Sequence, residues 1–111
     1  MATRVLHHPR VAWDLATVLA TVAAVPEVDL DLYTWFGARL GTLLGAAYRR
    51  ELYGSRVRLT GSGRPDARLV EVGLWRARLA DALAGQPDLA EDLLILRLDA
   101  ASRLARRPPA G

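Results

Sequence analysis

Hydrophobic residues return at helical spacing in several stretches of this chain. Between 10 and 25, Val11, Leu15, Val18, Val22 and Val25 recur at intervals of four and three, which puts them on one stripe of a helix. Pro9 suits the first turn, where its missing N–H costs nothing, and Pro26 ends the element. Arg10, Asp14, Thr17 and Thr21 make the polar side, with Arg10 and Asp14 spaced as an i,i+4 ion pair. A second helix is predicted over 30–53, roughly 35 Å long at the usual rise per residue. The acidic link 27–31 suits its start, and Gly54 its C-terminal stop. Phe36, Leu40, Leu43, Leu44 and Ala47 form its main apolar face, with Arg49 and Arg50 in its last turns.

The pattern breaks over 55–66. Arg56-Val57-Arg58-Leu59-Thr60 alternates with period two, as a half-buried strand does, and Gly61-Ser62-Gly63-Arg64-Pro65 is turn material. A return strand over 68–72 would close a hairpin, but a helix is the better expectation there. Asp66 is a suitable N-cap, and Leu69, Val72, Leu79 and Leu83 hold helical spacing with Trp75 and Ala82 alongside. This third helix runs over 67–84 and stops at Gly85. A fourth opens at Pro87-Asp88, where Asp88 and Glu91 have capping-box-like spacing. Its stripe is Leu89, Leu93, Leu96 and Ala100, broadened by Leu94, Leu98 and Ala101, and it fades near Arg106. The expected fold is therefore all-α: an antiparallel bundle of about four helices with an irregular or hairpin-like excursion at 55–66. Residues 1–107 form a single domain, with a short lead through Val5 and Leu6 and a frayed tail at 108–111.

Gly37, Gly41 and Gly45 lie four residues apart inside the second predicted helix. Each costs roughly 1 kcal/mol against alanine in a helix interior, so a close backbone approach is the natural reason for them. The stripe continues into Tyr48 and fits helix packing within the chain, contact between copies, or packing in lipid. The preceding helix offers an intrachain partner, which makes the stripe first the seam of a helical hairpin and second an intermolecular surface. A simple membrane span does not fit. Such a helix needs about 20 predominantly apolar residues, whereas 11–25 contains Asp14 and 32–48 contains Arg39 near its centre.

Composition narrows the chemistry. Of 111 residues, 51% are hydrophobic, which argues for a folded domain. There is no Cys, so disulfides, thiolate zinc sites and a Cys nucleophile are excluded. All fifteen basic side chains are Arg, a bias that matches GC-rich coding. The net charge of +3 is uneven: 1–55 carry five Arg and five acids, and 56–111 carry ten Arg and seven acids. Arg56, Arg58, Arg64 and Arg68 surround the single acid Asp66 and form a candidate basic patch for phosphate or an acidic partner. No helix-turn-helix signature or aromatic platform accompanies them. No cleavage motif follows the first apolar stretch, so a cytoplasmic location is expected.

Catalytic equipment is sparse. His7 and His8 are adjacent, point in different directions and lack a third ligand at metal-site spacing. Ser55, Ser62 and Ser102 have no His or Lys arranged with them in a nucleophile motif, and Thr60-Gly61-Ser62-Gly63-Arg64 lacks the Gly-Lys-Ser/Thr of a phosphate loop. Asp88, Glu91 and Asp92 suit a helix start, and Glu71 and Asp81, with Arg76 and Arg78 between them, read as a surface ion network. Trp13, Trp35 and Trp75 read as core or boundary anchors. No catalytic residue, metal or cofactor is expected.

The run Gly37-x-x-x-Gly41-x-x-x-Gly45, with Gly73-Leu74-Trp75-Arg76-Ala77-Arg78-Leu79-Ala80-Asp81-Ala82-Leu83 leading into Asp88-Leu89-Ala90-Glu91, resembles the small helical accessory modules of GC-rich bacteria. These modules are encoded near signalling or defence effectors such as proteases and NTPases. The resemblance implies an adaptor rather than a catalyst and carries over no functional residue. The expected function is a non-enzymatic helical interaction module with a protein partner, self-associating and regulating a larger bacterial effector. Two alternatives stand beside it: a membrane-associated glycine-zipper-like protein, and an Arg-rich nucleic-acid-binding accessory.

Overall fold

The computed structural model describes residues 8–107. The expected lead through Val5 and Leu6, His7 and the tail 108–111 lie outside the described residues. Five helices follow in order: α1 (His8–Ala23), α2 (Leu30–Leu44), α3 (Ala46–Gly61), α4 (Ala67–Gly85) and α5 (Ala90–Ala105). Short 3₁₀ turns, Glu27–Asp29 and Pro87–Leu89, lead into α2 and α5. The described residues contain no strand.

The fold is built around α1. Beside the expected Val11, Leu15 and Val22, the alanines Ala12, Ala16, Ala20 and Ala23 are buried, while Val18 is only partly so. A helix with both kinds of stripe covered sits between neighbours, and α1 packs chiefly on α4 and α5, with further contacts to α2 and α3. Its small alanines allow the close approaches that the sequence assigned to glycine. From α4 come Val72, Trp75, Leu79 and Leu83, and from α5 come Ala90, Leu93, Leu96 and Ala100. Leu69 and Leu98, expected among the apolar stripes, are exposed instead.

Two expected elements are corrected. The long second helix is two helices, because Gly45 adopts φ 106° and ψ 165°. That backbone region is essentially reserved for glycine. The chain reverses there, with the Gly45 N–H donating to the Gly41 carbonyl at 2.8 Å to close α2. The helix count among the described residues is therefore five rather than about four. The excursion at 55–66 is also mostly helix, since α3 continues past Gly54 to Gly61 and no hairpin forms. Only Leu52 and Ser55 of α3 are buried. The alternation over 56–60 arises because this helix is mostly solvated, and it does not mark two faces of a sheet. Asp66 flanks α4 but caps nothing with its side chain, which pairs with Arg64 at 3.0 Å.

Arg56 ties α3 to the end of α1. Its Nη1 donates to the carbonyls of Ala23 at 3.1 Å and Val25 at 2.8 Å, and its guanidinium lies 5.0 Å from the Tyr33 ring centroid. These carbonyls end a helix, where a cation is favoured and the charge-assisted bonds are strong. Arg56→Ala is expected to cost about 2 kcal/mol, read as a lower midpoint in urea with an unchanged denaturant slope.

Candidate functional site

Two of the three stripe glycines, Gly37 and Gly41, are covered from within the chain. Folding back at Gly45 lays α3 on α2, so that a methyl group built on Gly37 would meet Leu52 Cδ2 at 3.5 Å, and one on Gly41 would meet Arg49 Cδ at 3.4 Å. Gly37 is buried and Gly41 partly so. The stripe's partner is α3, whereas the sequence pointed to the helix at 10–25. Tyr48, its expected continuation, faces α4: its ring centroid is 6.3 Å from that of Trp75, and its hydroxyl donates to the Arg78 carbonyl at 3.5 Å.

The proposed basic patch is mostly spent on intrachain bonds. Arg56 closes α1, Arg58 binds Glu71, and Arg64 pairs with Asp66. Arg68 is exposed and makes no ion pair among the described residues.

A buried polar node joins α3 to α4. Ser55 is 0% exposed and Glu71 3%. The Ser55 hydroxyl donates to Glu71 Oε1 at 2.7 Å and accepts from Trp75 Nε1 at 2.7 Å. Arg58 donates from Nε to Glu71 Oε2 at 2.8 Å and from Nη2 to Oε1 at 2.9 Å, a two-pronged match of guanidinium to carboxylate. The Arg58 hydrogen bonds, joined by that of Ser55, hold the Glu71 carboxyl below its ordinary range despite burial. The same partner raises Arg58. The surface ion network expected around Glu71 is thus an internal one. Arg78 pairs instead with Glu51 at 3.0 Å, and Arg76 stacks on Trp13 with 5.3 Å to the ring centroid.

This node is built for cohesion. The Ser55 hydroxyl has its donor and acceptor capacity used, and the carboxylate is held in its charged form with both oxygens occupied. Neither group is free to abstract or deliver a proton. Among the described residues no set of three His, Cys, Asp or Glu side chains could hold a metal ion. No single helix among them is long and apolar enough to cross a membrane. The bent pair Pro9–Ala23 and Glu27–Leu44, at 117°, passes by length and composition only, and its first member is the core helix α1.

What remains open is the outer face of α4. Val72, Trp75, Leu79 and Leu83 point to the core, and on the other side Val70, Gly73, Leu74, Ala77, Ala80 and Ala84 are exposed, as is Leu69 at the start of the helix. Leu69 is 75% exposed. Asp81 is the one acid among these outward positions, and Arg76 lies at their edge, drawn onto Trp13. An ordinary surface helix turns charged residues outward. A cleft of about 450 Å³ flanks the start of this face, between Val57 and Arg58 of α3 and Ala67 and Val70 of α4. Another of about 480 Å³ flanks its end, between Pro9, Ala12 and Trp13 of α1 and Ala77, Ala80 and Ala84 of α4.

No family, curated protein or solved structure matches the chain. The candidate site therefore stands on geometry alone. Sequence reasoning missed the face because it followed a single stripe along α4. The signal was present, since 70, 73, 77 and 84 carry no charge and lie on the side away from 72, 75 and 79, with Asp81 the one charge among them.

Proposed function

We propose that this chain is a non-enzymatic, antiparallel helical-bundle module that binds protein, serving as an adaptor for a larger bacterial effector. The observation that carries this reading is the exposed, nearly uncharged outer face of α4. Contiguous apolar surface on a small domain is a liability unless something covers it. The face is rigid, because α4 is anchored on its inner side by Trp75, Leu79 and Leu83 and by the Glu71 node. Its central residues are small, which suits the close approach of another helix. The polar groups of the node support the reading indirectly: they fasten α3 to α4 and leave no reactive group over the face.

Photo-crosslinking in the cells that make the protein tests this. A photoreactive residue at Gly73, where an added side chain meets open space, is expected to give covalent protein adducts identified by mass spectrometry. The same residue at exposed Ala38 on α2 should give few. Equal yields at both positions, or none at Gly73, would remove α4 as a binding face.

A further inference from the structure

A cleft of about 540 Å³ opens between α2 and α3, lined by Tyr33 of α2 and by Ala46, Arg49, Arg50 and Tyr53 of α3. No acid lines it. The acids of these two helices are engaged or turned elsewhere: Glu51 pairs with Arg78, and Asp31, two residues before Tyr33, lies on another side of α2. Arg49 and Arg50 are exposed and make no ion pair or side-chain hydrogen bond among the described residues.

Arg49 is nevertheless held in place. Gly37 and Gly41 leave a trough on α2 in which its side chain lies, with Cδ 3.4 Å from where a Gly41 methyl would stand and Nε 3.8 Å from where a Gly37 methyl would stand. Tyr33 is one turn before Gly37 on the same stripe. The other cation beside that ring is Arg56, 5.0 Å from its centroid. Burial raises the Tyr33 hydroxyl above its ordinary value, against the opposing charges of Arg56 and Arg49, so it stays an O–H donor at neutral pH. Tyr53 is 63% exposed.

We propose that this cleft binds a nucleotide, with the phosphate on Arg49 and Arg50 and the base against the Tyr53 ring. Two unpaired guanidinium groups match the charge of a phosphate monoester, and each offers it forked N–H donors. The Tyr33 hydroxyl adds a neutral donor. The cleft is far larger than a phosphate alone and falls within the range of small-ligand sites. An exposed tyrosine ring is a stacking surface for a base. The free basic character expected at 56–68 is thereby moved to 49–50, because Arg56, Arg58 and Arg64 are bonded within the chain. This cleft shares no lining residue with the outer side of α4.

Isothermal titration of the full chain with adenosine monophosphate tests this. Saturable binding is expected, weakened about tenfold or more by Arg49→Gln and by Arg50→Gln. Both arginines are exposed, so helix content by circular dichroism should stay unchanged. Tyr53→Ala should weaken binding, and Tyr53→Phe, which keeps the ring, should retain it. Adenosine and inorganic phosphate, each one half of the ligand, should bind about tenfold or more weakly than the whole. A short single-stranded oligoadenylate separates the two sources of the same unit. Tighter binding than the mononucleotide, lost in the same arginine variants, assigns a single strand; equal or weaker binding assigns a free nucleotide. No saturable binding of either overturns the proposal. So does an affinity indifferent to both arginine variants, or inorganic phosphate binding as well as adenosine monophosphate.

Discussion

Arg58→Ala is expected to lower the unfolding free energy by about 3 kcal/mol at neutral pH. The arginine is half exposed, at 48%, yet the carboxylate it serves is 3% exposed. Deleting the arginine strands a buried charge with Ser55 as its remaining side-chain donor. Glu71→Gln should cost less, about 1–2 kcal/mol, because the arginine left behind reaches water and the amide still fills the space. The ordering of the two variants is the signature of asymmetric burial.

The pH dependence gives a second signature. In the native protein Arg58, then Ser55, lowers the Glu71 carboxyl from its ordinary value of 4.5. The unfolded chain thus binds this proton more readily than the folded one. The stabilisation is present above that value and is lost as pH falls through the depressed one. Without Arg58 the largest influence lowering the carboxyl is gone, and burial opposes its charged form more fully. The folded variant then takes up the proton before the folded parent does, and its deficit relative to the parent shrinks on acidification. Urea unfolding of both proteins at neutral pH and near pH 4 checks this, and a deficit equal at the two values would exclude the charge-pair account.

Gly45→Val carries the second large expected effect, about 2–3 kcal/mol of destabilisation. The cost comes from the backbone at φ 106°, since nothing lies within 4 Å of the position a Cβ would take. Gly41→Ala should instead be neutral or gain up to about 1 kcal/mol from helix propensity. Its added methyl meets the flexible stem of Arg49 at 3.4 Å, a neighbour able to give slightly. Thermal and urea unfolding separate the pair. A large loss for Gly41→Ala would mean that the stripe packs against something less yielding than an arginine stem.

The inner faces of α1, α4 and α5 were legible as sequence because each needs only one apolar stripe at helical spacing to bury. Val72, Leu79 and Leu83, and likewise Leu93, Leu96 and Ala100, were assigned from that spacing and are buried. The second, alanine-rich side of α1 was not legible, since alanine sits as readily on a surface as in a core. The break at Gly45 hid inside a regular repeat: three glycines at one spacing look alike, and only the third adopts a conformation closed to other residues. The polar node was invisible for a different reason. Ser55, Arg58, Glu71 and Trp75 come from two helices, and no periodicity along one segment announces a hydrogen-bonded set across two.

The sequence by itself determined that the chain is helical, where most helices begin and end, and which stripes of α4 and α5 turn inward. These follow from local propensity and periodicity, which act over a few residues. Only the tertiary structure decided that the second helix folds back at Gly45, that most of the basic patch is spent on intrachain bonds, and that Gly37 and Gly41 are covered while the outer side of α4 is not. Those outcomes depend on which surfaces meet after the chain closes on itself, and the number of neighbours around α1 left the far side of α4 without one.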